Sequence, residues 1–145
     1  TAGNSYAEFM ADYVRKDCER QQRCESPAPY ASVEACVAAV PAELLRARDR
    51  IAISVGEGRV SFDSDQADTC LMLLDGACAT PDLDIVAACI TTAGLVGERD
   101  SCTGHFDCAS DPERMYCWDM CTAVQGNEVA DLVGECSLGP DPACP

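Results

Sequence analysis

Four cysteines crowd into the twenty residues CTGHFDCASDPERMYCWDMC, Cys102 to Cys121, at spacing C-x5-C-x8-C-x3-C. Small, acidic and turn-forming residues lie between them, with almost nothing that fills a core. Such a segment orders only through crosslinks or a metal. Twelve cysteines in the chain extend that logic to the whole. Leu, Ile, Val and Phe total only 27 of the 145 residues. That is just below the roughly 20% at which a highly charged chain is expected to stay disordered. The net charge of −15 pushes the same way. Each disulfide removes entropy from the unfolded chain and stabilises by about 2–4 kcal/mol. Six of them offset a poor core.

That argument needs an oxidising compartment, so the reading is a secreted, periplasmic or outer cell-surface protein. Thr1 rather than Met at the start fits a processed N-terminus. No apolar run approaches the ~20 residues that span a bilayer, so no membrane span is expected. The charge is uneven. Residues 1–59 hold 9 acids and 8 bases, whereas residues 60–145 hold 16 acids with only Arg99 and Arg114 against them. A half so acidic repels nucleic acid and anionic membrane surfaces. It attracts a cationic partner or Ca²⁺, or simply keeps the chain soluble outside the cell. The partner expected is a protein or further copies of the chain, with no nucleic acid.

The first part of the chain reads as helix. Ser5 with Glu8 three residues on forms a capping box. Tyr6, Phe9, Met10, Tyr13 and Val14 follow as one apolar stripe, which Cys18 continues, over a helix of about 6–23. Ser26-Pro27-Ala28-Pro29 is a loop. Ser32 caps a second helix with Val33, Cys36, Val37 and Val40 on one face. Pro41 opens a third, with a stripe of Leu44, Ala47 or Arg48, Ile51 and Val55 and a basic knot at Arg46, Arg48 and Arg50. Arg59 to Asp63 reads as a short connection. Asp63 or Ser64 caps a fourth helix, with Ala67, Cys70, Leu71 and Leu74 inward and Gly76 as its stop. Thr80-Pro81-Asp82 opens a fifth, about 81–92, with Leu83, Val86, Ala87 and Ile90 inward and Gly94 ending it.

The fold class expected is therefore mainly α and disulfide-rich. A stapled bundle of four or five short helices, residues 1–93, precedes an irregular cysteine-rich module, residues 94–145. Six cysteines fall in each part: Cys18, Cys24, Cys36, Cys70, Cys78 and Cys89, then Cys102, Cys108, Cys117, Cys121, Cys136 and Cys144. The even split implies no pairing between the parts and no free thiol. Spacing leaves 15 connectivities open for each six. The expected set is 18–70, 24–36 and 78–89, then 102–117, 108–121 and 136–144. Leu95-Val96-Gly97-Glu98 before Cys102 recurs as Leu132-Val133-Gly134-Glu135 before Cys136. The second copy reads as the start of a second cysteine unit, and Asn127 to Val133 as a short helical turn.

Two strings carry a resemblance. One is Gly58-Arg59-Val60-Ser61-Phe62-Asp63 followed by Ala67 and Cys70-Leu71. The other is Leu95-Val96-Gly97-x4-Cys102-x5-Cys108, with Met115-Tyr116-Cys117 after it. Together they resemble the cysteine-rich secreted proteins and lipoproteins of myxobacteria and related predatory bacteria, over about Tyr13 to Cys136. In those, a helical region precedes short repeats similar to the Dickkopf N-terminal cysteine module. The gap of eight residues before Cys117 is longer than that repeat shows. The resemblance implies fold and location and no activity.

Candidate chemistry is sparse. Cys102, Cys108, Cys117, Cys121 and His105 have the residue types of a zinc site, but the oxidising context favours disulfides. Asp63, Asp65 and Asp68 offer hard oxygens for calcium, as do Asp82 and Asp84. Neither set has the offsets of an EF-hand, and both lie at helix starts, where acids stabilise exposed N–H groups. No cofactor is expected. There is one histidine and no G-x-S-x-G, so catalytic residues are not assigned and the chain is read as no enzyme. Phe106, Met115, Tyr116 and Trp118 are the suggestive group. Aromatics on a rigid crosslinked loop make interface anchors, or else Trp118 packs inward as core. The function expected is a non-enzymatic extracellular or cell-surface interaction or structural protein, a subunit of a larger assembly being one form of it. Next comes a secreted inhibitor or effector that binds a foreign protein through the 102–121 loops. A small secreted enzyme ranks third.

Overall fold

The computed structural model describes residues 5–97, 100–103, 105–109, 115–118 and 134–138. Over these the protein is mainly helical and rich in disulfides. No described helix is long and apolar enough to cross a membrane. The chain groups into two units that interleave in sequence. The first comprises Thr1–Asp49 and Phe62–Thr91, the second Arg50–Ser61 and Thr92–Pro145. The grouping differs from a consecutive division at residue 93, because segment 50–61 belongs with the later residues.

In the first unit, α1 (Tyr6–Cys24) begins at the anticipated capping box, with both Ser5 and Glu8 bonds formed. Its stripe buries Tyr6, Phe9 and Cys18. Phe62 closes an aromatic cluster on that face, its ring 5.8 Å from Tyr6 and 5.7 Å from Phe9. α2 (Val33–Ala38) is capped by Ser32 and buries Cys36. α4 (Ser64–Leu74) is capped by Asp63 and buries Ala67, Cys70, Leu71 and Leu74, the face expected from its spacing. α3 (Ala42–Gly56) gives its first half to this unit and its second to the other. Its stripe does not bury as expected: Leu44 is 60% exposed, and the helix's buried residue is Ser54.

α5 departs most. It spans only Asp82–Ala88 and buries Ile85 alone. The expected inward residues Leu83, Val86 and Ile90 are 82%, 61% and 68% exposed. Ala87 is exposed as well. The reason lies in how the helix is tethered. The Cys70–Cys89 disulfide holds one end, and Arg20 binds the carbonyls of Ala77, Cys78 and Thr80 before the other. A helix fixed at both ends needs little apolar area of its own.

Disulfide pairing differs from the expected set in the first unit throughout. The bonds are Cys18–Cys36, Cys24–Cys78 and Cys70–Cys89, not 18–70, 24–36 and 78–89. Helix geometry explains it. Cys18 faces inward on α1 where α2 presents Cys36, while Cys24 at the α1 end meets the loop after α4. In the second unit Cys102–Cys117 forms as expected. Cys108 pairs with Cys136, which displaces both 108–121 and 136–144. Cys121 and Cys144 lie outside the described residues. None of the five described bonds joins residues 1–93 to 98–145.

The second unit is built on short strands that sequence patterning missed. β1 (Val60–Phe62) pairs with β2 (Thr92–Gly94), where a bare connection and a helix end were expected. β3 (Ser101–Cys102), β4 (Met115–Trp118) and β5 (Gly134–Leu138) form a sheet in the order β3-β5-β4, antiparallel throughout. Gly134 and Glu135 of the second Leu-Val-Gly-Glu copy therefore open the central strand of this sheet. The expected turn at 127–133 lies outside the described residues. Gly94 is required by a close approach: a Cβ there would sit 2.3 Å from the Cys108 carbonyl oxygen.

Candidate functional site

The sheet of the second unit is held from within by sulfur. Cys102, Cys117 and Cys136 are fully buried and Cys108 nearly so, with Val96 and Ala109 packed against them. The sulfurs of Cys102, Cys108 and Cys136 lie within 4.8 Å of one another, so the two disulfides are stacked. With Cys102, Cys108 and Cys117 oxidised, the zinc set anticipated around them has lost three thiolates. His105 lies on a 3-10 turn, His105–Asp107, that also carries the half-buried Phe106.

Three of the four anticipated interface anchors fall on one strand. Met115, Tyr116 and Trp118 lie in β4 opposite Leu138, Ser137 and Glu135, with Cys117 opposite Cys136. β4 is an edge of the sheet, as described. Positions 116 and 118 alternate with the buried position 117 along the strand.

Behind the sheet lies a polar network that sequence reasoning did not find. Asp107 is fully buried. Its Oδ2 accepts from the Thr103 amide at 2.7 Å, the Thr103 hydroxyl at 2.9 Å and Arg59 Nε at 3.2 Å. Arg59 Nη2 also donates to the buried Ser54 Oγ at 3.1 Å, and Nη1 pairs with Glu57. Asp107 Oδ1 has no partner among the described residues. The arrangement folds the C-x5-C loop around one carboxylate. Among the described residues the partners of Ser54 Oγ are the Arg59 guanidinium and the Thr103 hydroxyl. Arg59 is one of three bases after residue 58, with Arg99 and Arg114, and it meets Asp107 across 48 residues, which leaves no local spacing to read.

The first unit holds a cleft of about 400 Å³ between α1 and α5. Tyr13, Asp17 and Gln21 line it from α1, Glu25 from its end, and Asp82, Ile85 and Val86 from α5. Burial, and after it the Asp17 carboxylate, push the Tyr13 phenol above its ordinary range. Arg20 is the cation at its wall, and its guanidinium is engaged by three backbone carbonyls. Of the exposed aliphatic residues Leu83, Val86 and Ile90, Val86 lines this cleft.

The calcium candidates are occupied as helix starts. Asp63 Oδ1 accepts from the Gln66 amide at 3.0 Å as the α4 cap. Asp65 sits in the same first turn, Asp68 is exposed one turn on, and Asp82 and Asp84 lie in the first turn of α5. No protein-family profile, curated protein or solved structure matches the chain.

Proposed function

We propose that the protein is a non-enzymatic interaction protein of an extracellular or cell-surface compartment, which binds a protein partner through β4 and the adjoining 3-10 turn. One observation carries the reading: two stacked, buried disulfides fix the edge strand that bears Met115, Tyr116 and Trp118. A strand held in this way loses little entropy on binding, and large aromatics are the residues that dominate interface energetics. The turn that carries Phe106 contacts β4. The five described disulfides fit an oxidising compartment, which supports a secreted, periplasmic or cell-surface location.

The test begins with crosslinking and mass spectrometry on the protein in its native source, to identify the partner. Affinity for that partner is then measured with Trp118→Ala and Tyr116→Ala. Each is expected to weaken binding by about 2 kcal/mol or more, with an unchanged thermal midpoint. A fall in stability of about 3–5 kcal/mol with Trp118→Ala would instead make it a core residue and defeat the reading.

A further inference from the structure

The cleft of the first unit carries an inference that is independent of the β4 surface. Three acids, Asp17, Glu25 and Asp82, line it, against the single cation Arg20. Among the described residues none of the three acids forms an ion pair. The exposed Val86 lines the cleft, and the exposed Leu83 stands three residues before Val86 on α5. Large aliphatic side chains exposed together beside a concavity mark an interaction surface. The helix does not need them for its own anchoring, since Ile85 and the Cys70–Cys89 bond supply that.

We propose that the cleft between α1 and α5 is a docking groove for a cationic amphipathic peptide segment of a partner protein, with its aliphatic side on Leu83 and Val86 and its Lys or Arg residues toward Asp17, Glu25 and Asp82. Charge selects this occupant. A second copy of a chain with net charge −15 would bring like charge to an acidic groove. An anionic membrane surface is repelled for the same reason. A short amphipathic segment laid in a groove buries apolar anchors while its flanking charges set register and on-rate.

The experiment uses the full chain with its disulfides intact. The probe is a fluorescein-labelled synthetic peptide of Lys and Leu in amphipathic helical order, followed by anisotropy. Saturable one-to-one binding is expected, weakened by added salt because the charges are exposed. The double variant Leu83→Ser/Val86→Ser should weaken it about tenfold or more, as loss of anchors does. Glu25→Gln/Asp82→Asn should weaken it by a similar factor. Glu43→Gln/Asp49→Asn removes as much charge from α3 and should leave it unchanged. Thermal midpoints should match across all variants, since the substituted side chains are exposed. Equal binding of a sequence-scrambled peptide, or equal loss with Glu43→Gln/Asp49→Asn, would overturn the proposal. So would a dimer in sedimentation velocity that Leu83→Ser/Val86→Ser dissolves, which would make the occupant a second copy. Trp118→Ala should leave this peptide's binding intact, so the groove and the β4 surface stand or fall separately.

Discussion

Cys117 faces Cys136 directly across the β4–β5 ladder, yet the two are not bonded to each other. Cys117 closes on Cys102 and Cys136 on Cys108. The pairing thus ties β4 to β3 through one bond and β5 to the 3-10 turn region through the other. Neighbouring strands already share backbone hydrogen bonds. A crosslink between them would add less constraint than one that reaches a segment the ladder does not hold.

Peptide mapping under non-reducing conditions should recover Cys102 linked to Cys117 and Cys108 linked to Cys136. A peptide pair joining Cys117 to Cys136 would contradict the fold of the second unit. Among the bonds of the first unit, Cys24–Cys78 closes 54 residues, against 18 for Cys18–Cys36 and 19 for Cys70–Cys89. Loop entropy grows with the logarithm of that length, so replacing both cysteines of the long loop by Ser should cost roughly 1 kcal/mol more than either short one. Denaturant unfolding of the three double variants would rank them.

Asp107 is buried with Arg59 as its charged partner. Arg59→Met leaves the carboxylate uncompensated and should destabilise by about 3–5 kcal/mol. The double variant Arg59→Met/Asp107→Leu should recover part of that loss, because removing both charges removes the desolvation cost of either. Equal stability of the single and double variants would show that the ion pair is not what the site depends on.

Arg20 reaches three carbonyls in the segment between α4 and α5. Arg20→Lys should fail to restore the stability lost in Arg20→Gln, since an ammonium cannot fork across three acceptors. Each loss should be about 2–3 kcal/mol, the scale of hydrogen bonds made by a charged group. Phe9→Ala, at the centre of the aromatic cluster, should cost about 3–5 kcal/mol. Thermal unfolding reads all three.

Two of the four tyrosines should titrate late. Burial raises the phenol of Tyr6, with Arg48 opposing, and burial then Asp17 raises that of Tyr13. The folded state therefore holds these protons above pH 10, where the unfolded chain has begun to release them. By linkage their contribution to stability is complete below pH 10 and is lost as pH rises through the folded values. Ultraviolet phenolate absorbance should show two delayed groups that become ordinary after denaturation.

What sequence made legible followed from residues whose spacing had one physical meaning. The α1 stripe and its capping box, and the four inward residues of α4, bury as their periodicity requires. The same periodicity misled at α5, where Leu83, Val86 and Ile90 form a proper stripe that faces outward. Periodicity reports which residues share a side of a helix, and tethering by Cys89 and Arg20 decided which side was turned in. Strands of two to five residues carry too little alternation to register, so β1 read as a connection and β5 as the start of another unit. Pairing of cysteines was illegible for a different reason: spacing along the chain does not encode which helix ends meet. The anchors on β4 were placed together by proximity in sequence alone. The Asp107 network joins residues 48 apart and had no local signature.

The interleaving of the two units bears on the order in which the chain leaves the ribosome. By the time Thr91 is made, every described cysteine of the first unit has its mate. Segment 50–61 is synthesised before that point, yet the groups it binds, Thr103, Asp107 and Leu95, all come later. Cys108 waits longer still, for Cys136. The nascent chain thus carries an unfinished loop inside a finished one. Arg59 waits in that loop with Glu57 beside it until its buried counterion Asp107 arrives.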